Sequence, residues 1–284
     1  MAKIKDMKFI EGIDRKVRKT IAKYKLFTPD DKLVVAVSGG KDSTVCLYIL
    51  KKLGYDVEAA SIDVAIGEYT NKNLDNIKKF CKANNIKLHV LSFRKIFGKS
   101  LIEIQSTLNG KGFKYSSCML CGTLKKYLLN KFARENKFNY LATGHNLDDE
   151  SEAFLMNLFR SDYSQAIKQG PKSKDVIPNA FVSRVKPLYF VSNKETRRYS
   201  ELMGFSVNYA PCPCSTDAHR RKFRNLLNDL ELKNPAIKSC VINFLEKMKL
   251  NTKEPAKRIP NYCESCGELC SKTICKKCEI VKNI

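Results

Sequence analysis

The chain has 284 residues, 43% of them hydrophobic, which is enough to bury a sizeable core and excludes wholesale disorder. Its 52 Lys and Arg stand against 29 Asp and Glu, a formal charge of +23 that favours a polyanionic partner, nucleic acid foremost. No run approaches the roughly 18 apolar residues of a membrane span, and Met1–Lys25 lacks the apolar core of a secretory leader, so a cytoplasmic location without a membrane partner is expected; there the 12 cysteines stay reduced.

Ile10, Ile13, Val17 and Ile21 recur at helical spacing among lysines, which predicts a basic helix over 7–25. Lys32–Val37 reads as a buried parallel strand running into a glycine turn, and Ser43–Leu53 as the helix after it. The alternation continues with strands at Val57–Val64, Leu88–Ser92 and Tyr140–Thr143, and helices at Asn73–Asn85, Thr123–Asn136 and Ser151–Arg160. Such an order predicts an α/β fold with a doubly wound parallel sheet, whose ligands bind outside the carboxyl ends of the strands. Residues 161–180 read as a mobile loop, helices are expected near Ala218–Leu232 and Pro235–Lys249, and the proline-bearing 251–261 reads as a linker. Three units are expected: a basic helical segment at 1–28, a catalytic domain at 29–250 and a small metal-held tail at 260–284.

Two loops at strand carboxyl ends carry chemistry. Ser38-Gly-Gly-Lys-Asp-Ser43 offers a close backbone approach at Gly39 and Gly40, free amides at a helix start, hydroxyls from Ser38 and Ser43, the charge of Lys41, and Asp42 as a magnesium ligand. A strand–helix turn alone would explain the glycines but not the Ser, Lys and Asp beside them. The Walker A spacing is absent. Thr143-Gly-His-Asn-Leu-Asp-Asp149-Glu, the second loop, sets two acids beside Gly144 and His145, fit for magnesium ligation or proton transfer; an N-cap role for Asp148 or Asp149 is the structural alternative.

The cysteines divide. Cys263-x-x-Cys266 and Cys275-x-x-Cys278 have the spacing of a structural zinc site, which explains how so polar a tail folds; Cys270 between them is spare. Cys118-x-x-Cys121 cannot complete a metal site alone, and Cys212-Pro-Cys214 is the other cluster in the core; a redox pair is the competing account of Cys118 and Cys121. Cys46, Cys81 and Cys240 lie on expected helices and read as small buried hydrophobes.

Ser38–Ser43 is similar to the PP-loop of the ATP pyrophosphatase superfamily, and with Cys118-x-x-Cys121-Gly122, the Gly144-His-Asn-x-Asp-Asp149 string and a distant third cysteine it resembles the TtcA/TtuA family of tRNA thiolases. The 2-thiouridine branch is the nearest, since Ile62-Asp-Val-Ala-Ile-Gly-Glu-Tyr69 is similar to one of its segments and the cysteine tail is present. The resemblance implies phosphate binding by Ser38–Ser43, adenine against Ile62 and Asp63, and a 4Fe–4S cluster on Cys118, Cys121 and Cys212. It also implies catalytic positions at Asp42, Lys125 and Asp149, and ATP-driven adenylation of a uridine C2 oxygen in tRNA. Sulfide, a persulfide or a thiocarboxylated ubiquitin-like protein would each serve as the sulfur donor, and a homodimer is a family expectation. The wobble uridine 34 is the expected target, with uridine 54 or cytidine 32 as alternatives. Two rivals stand beside this reading: an amine-using PP-loop synthetase of the lysidine type, with no use for the thiols, and a zinc-ribbon RNA-binding protein with a degenerate nucleotide fold. Two departures accompany the resemblance. No cysteine-rich site precedes Cys46, and Val64 and Ala65 replace a glutamate and a glycine of the branch.

Overall fold

The computed structural model describes residues 2–173, 180–215, 220–251 and 261–284. The expected linker at 251–261, the tip of the 161–180 loop and the start of the expected 218–232 helix fall largely or wholly outside them. Five strands, β1 (Leu33–Val37), β2 (Val57–Asp63), β3 (Leu88–Ser92), β4 (Tyr140–Thr143) and β5 (Ser183–Val185), form one sheet of order β3-β2-β1-β4-β5 with every pairing parallel. Leu33-Val-Val-Ala-Val37 lies at the centre and is buried almost throughout, as its unbroken apolar run requires of a strand covered on both faces.

The helices are α1 (Ala2–Tyr24), α2 (Lys41–Lys52), α3 (Glu68–Ala83), α4 (Phe93–Phe97), α5 (Leu101–Gly110), α6 (Ser117–Glu135), α7 (Leu147–Leu158), α8 (Tyr163–Lys168), α9 (Asn193–Leu202), α10 (Arg220–Lys233), α11 (Ile237–Leu250) and α12 (Lys276–Lys282). Ile13, Val17 and Ile21 of α1 share one apolar cluster with β1, α2 and Tyr199 of α9, so the basic helix packs into the main core. Against the other face of the sheet, α6 sets Ala133 with Val34, Ala60 and Leu141. A two-stranded antiparallel ribbon, β6 (Asn261–Tyr262) with β7 (Leu269–Cys270), precedes α12. Among the described residues no helix is long and apolar enough to cross a membrane.

Differences from the sequence expectations are local. The stretch 161–180 contains α8, whose N-cap Asp162 accepts from Gln165 N–H. α6 begins at Ser117 and takes in both Cys118 and Cys121, because Ser116 caps it by accepting from Met119 N–H. Cys240 is exposed rather than buried, while Cys46 and Cys81 are buried as read. The Cys240 side of α11 faces away from the helix's buried row, Lys238, Ile242 and Leu245.

Candidate active site

The chain runs from β1 out to β3 on one side and then crosses to β4 and β5 on the other, so the strand order reverses between β1 and β4. A crevice outside the carboxyl ends of the strands at such a reversal is where open α/β sheets take ligands. Both motif loops lie there and are in contact. A Cβ at Gly144 would fall 2.6 Å from Ser43 N, so only glycine lets the two loops close on one another. Gly39 has φ +77°, and a Cβ there would meet the Asn73 carbonyl oxygen at 2.5 Å, which seats the phosphate loop on α3.

Within the phosphate loop, Ser43 Oγ lies 3.1 Å from both Ser38 N–H, as acceptor, and the Gly40 carbonyl, as donor. Asp42 is the most heavily bonded side chain of the loop. It accepts from Lys41 Nζ at 2.7 and 2.8 Å, from Asn146 Nδ2 at 3.0 Å and from Thr196 Oγ1 of α9 at 2.5 Å. These bonds fix one carboxylate at the helix start with its charge already oriented.

The second loop divides its two acids. Asn146, not either aspartate, is the N-cap of α7; Asp149 sits at N3 and returns a bond to Asn146 N–H, a capping box with both bonds at 3.1 Å. Burial pushes the Asp149 carboxyl up while Arg220, at 3.0 Å, pulls it back. Asp148 points away, to Lys238 at 2.5 Å and to Asn193 N–H at 2.8 Å, and is structural. His145 Nδ1 lies 2.8 Å from Thr143 Oγ1.

A cavity of about 310 Å³ runs from Ser38 of the phosphate loop to the cysteines. Ser38 and Ile62 line it together with Cys118, Cys121, Lys125, Cys212 and Cys214. Asp63 does not line it: its carboxylate accepts from Ala65 N–H at 2.8 Å and holds a turn in which Ala65 has φ +55°. Asn73 also lines the cavity, and its Oδ1 is buried with no hydrogen-bond partner, an acceptor suited to a donor on a bound nucleotide. Burial pushes the Cys121 thiol up, and the neighbouring Lys125 ammonium opposes that shift. Cys118 Sγ donates to the Cys214 carbonyl at 3.6 Å. The segment Pro213–Ser215 is a 3-10 turn, closed by Ser215 N–H on the Cys212 carbonyl, yet both Cys212 and Cys214 reach the cavity. Sequence reasoning missed Asn73, Asn146 and Thr196. Asn146 lay inside a recognised motif, whereas nothing in the sequence directs Thr196 towards Asp42.

The C-terminal cysteines are a second, separate site. Cys263, Cys266, Cys275 and Cys278 offer sulfurs within 4.8 Å of one another, the one such group of His, Cys, Asp or Glu ligands among the described residues. Cys266 Sγ and Cys275 Sγ are 3.7 Å apart. A tetrahedral ion with bonds of about 2.3 Å to sulfur has an edge of about 3.8 Å, so the spacing suits a single ion. Cys275 N–H bonds Cys263 Sγ at 3.2 Å, and backbone bonds of this kind pull the Cys263 thiol down to about 6. Among the described residues no three of the cavity cysteines bring their sulfurs within 4.8 Å of one another. Thiolates that each take a different corner are what a multi-iron cluster needs.

Residues 10–231 match the family described as the PP-loop domain, and the chain belongs to that family. Within it, the chain groups with 2-sulfurtransferases. It is 37% identical to the tRNA-5-methyluridine(54) 2-sulfurtransferase of Pyrococcus horikoshii, across 95% of this chain and 85% of the relative. Against the enzyme of the same name from Thermus thermophilus the identity is 30%, with 96% and 83% covered. The solved U34-tRNA thiolase NcsA from Methanococcus maripaludis, with its 4Fe–4S cluster, superposes with a TM-score of 0.82 at 28% identity, covering 98% of this chain and 89% of that one.

Proposed function

We propose that the protein is a tRNA 2-thiouridine synthetase of the cytoplasm. ATP on the phosphate loop adenylates the C2 oxygen of a uridine, and sulfur then displaces AMP. One observation carries this reading: phosphate-loop Ser38, Ile62, Lys125 and the thiols of Cys118, Cys121 and Cys212 line a single cavity. An amine-using PP-loop synthetase has no use for thiols there, and a mere RNA-binding protein has no use for the bonded Asp42.

In this reading Ser38, Gly39, Gly40, Lys41 and Ser43 hold the triphosphate through backbone amides, hydroxyls and one ammonium. Asp42, with Asp149 and Gly144 beside it, would hold a magnesium ion, which would supply positive charge against the phosphates. Asn73 Oδ1 accepts from the nucleotide, and Ile62 packs on its base. Lys125 sets positive charge where the leaving AMP and the C2 oxygen gain negative charge. A 4Fe–4S cluster held by Cys118, Cys121 and Cys212 would supply sulfide at its uncoordinated iron. Zinc on Cys263, Cys266, Cys275 and Cys278 holds the ribbon. Sulfide or a thiocarboxylated ubiquitin-like protein is the donor, and the chain pairs as a homodimer.

The relatives named for position 54 are 37% and 30% identical, against 28% for the solved thiolase named for position 34. Uridine 54 is therefore the leading target and the wobble uridine the second. The test is anaerobic reconstitution with iron, sulfide, ATP and unmodified tRNA, followed by mass spectrometry of ribonuclease fragments. The expected result is oxygen-to-sulfur exchange in the T-loop fragment with AMP released. Exchange in the anticodon fragment selects position 34, and no exchange in any fragment overturns the reading.

A further inference from the structure

Positive charge collects at the carboxyl end of β5, in a place the reaction scheme does not use. Arg184 of β5 pairs with Leu141 of β4, and Lys186 follows two residues later. Alternation along a strand puts both side chains on the face that carries Leu141 and Val182, the face on which α6 packs. α6 contributes Lys126, the residue after cavity-lining Lys125. Partial desolvation, followed by repulsion from Arg184 and Lys186, holds the Lys126 ammonium below its ordinary range. His145 completes the rim. His145 is exposed, yet nearby protein and then the charge of Lys186 push its imidazole down to about 4, with Arg220 and Lys126 adding to the effect and Glu150 opposing it.

The acids nearby are already engaged. Glu150 takes Lys186 at 2.7 Å, and Asp149 and Glu152 take Arg220 at 3.0 and 2.5 Å. Among the described residues no carboxylate pairs with Lys126 or Arg184. Lys186 has its counter-ion in Glu150, whereas Lys126 and Arg184 stand together without one, at a cost in free energy that a bound anion recovers. The position discriminates between anions. β5 lies two strands from β1, about 10 Å at the usual strand spacing, so the cradle is offset from the triphosphate loop. Lys126 follows cavity-lining Lys125 in the chain, while none of the four residues lines the cavity itself, so the cradle suits the sugar–phosphate chain outside rather than the base turned inward.

We propose that Lys126 and Arg184, with Lys186 on Glu150 and His145 at the rim, form a cradle for a backbone phosphate of the RNA substrate next to the reacting nucleotide. The identity of the anion as RNA rests on the reading of the protein as a tRNA thiolase. The lysine is placed for charge and the arginine for a bidentate grip on phosphate oxygens.

The test uses the full chain and three variants: Lys126→Gln, Lys126→Gln with Arg184→Gln, and Arg184→Lys. Affinity for tRNA is measured from about 50 to 200 mM salt, alongside affinity for a non-hydrolysable ATP analogue and steady-state thiolation. For the double variant, tRNA affinity should fall on the order of 10-fold and the log–log salt slope by about 2, one for each lost contact. KM for tRNA should rise with kcat at saturating tRNA retained, ATP affinity should stay within about twofold of the parent, and Arg184→Lys should recover part of the loss. Unchanged tRNA affinity and slope overturn the cradle. A loss of ATP affinity with tRNA affinity intact also overturns it, assigning the cations to the nucleotide. If the double variant loses ATP affinity and iron together, it has misfolded, and Lys126→Gln, at an exposed position, decides instead. A wild-type protein that binds RNA through these residues but thiolates none refutes the thiolase reading and leaves the cradle standing.

Discussion

Gly144 and Cys214 show how much single atoms decide at this site. An alanine at 144 drives its Cβ into the backbone of Ser43, so the two motif loops must part. Gly144→Ala should cost about 1–3 kcal/mol of stability, as overpacking does, and weaken ATP binding more than a surface change of equal cost. Thermal unfolding with and without ATP checks this, and an unchanged ATP-induced shift would contradict it. Cys212 and Cys214 pose a different question, because both line the cavity and a cluster with one open iron needs three thiolates. A fourth ligand would close that iron. Cys212→Ala is expected to lose iron, sulfide and activity, whereas Cys214→Ala keeps the cluster and part of the activity. Iron and sulfide assays on anaerobically reconstituted variants decide it, and loss of the cluster in Cys214→Ala alone reverses the assignment. The residue types at both positions were legible in the sequence. The direction of each side chain was not, because a short turn after Cys212 sets it.

Among the elements, α6 connects the two cysteine sites. Its first turn carries Cys118 and Cys121, and its flank packs against α12 of the ribbon. Ile280 is fully buried in one apolar cluster with Leu120, Leu124 and Leu128, and Cys121 and Cys212 pack against the same cluster. Arg134 near the end of α6 pairs with Glu268 of the ribbon, and Tyr115 just before it donates to Glu279 at 2.7 Å. A metal ion on the four ribbon cysteines would thus hold in place a wall of the cysteine-lined cavity. Stripping it with a chelator should lower hydrogen-exchange protection in the first turns of α6, since a structural zinc site supplies on the order of 10 kcal/mol of folding free energy. Ile280→Ala should do the same more mildly, at about 2–5 kcal/mol. Exchange measured by mass spectrometry tests both, and protection of 117–125 that ignores the metal would refute the coupling. The cysteine spacing announced the ribbon, but nothing in it announced which helix the ribbon would rest on.

Over the whole molecule, a formal charge of +23 still awaits a partner after the ion pairs are formed. The pairs redistribute where it is available. Arg220 and Arg224 are held by Glu152, with Arg220 also on Asp149; Lys276 is held by Glu279. Affinity for tRNA should fall steeply with salt, on the order of 1,000-fold between about 50 and 200 mM if about six phosphates are contacted. Binding isotherms at several salt concentrations check this, and a dissociation constant that ignores salt would contradict the reading of the charge.

The sequence by itself determined the alternating α/β order, the two loops at strand ends and both cysteine pairings by spacing. These are local signals: apolar period, glycine turns and ligand intervals act between residues close in the chain. It misread 161–180 as loop throughout, because α8 is short and weakly periodic, and it did not anticipate β5 or α9. Tertiary structure alone decided that Thr196 and Asn146 share Asp42, that Cys240 faces solvent, and that Arg184 stands close enough to Lys126 to repel its charge. Each of those depends on how distant elements pack, and no interval along the chain encodes it.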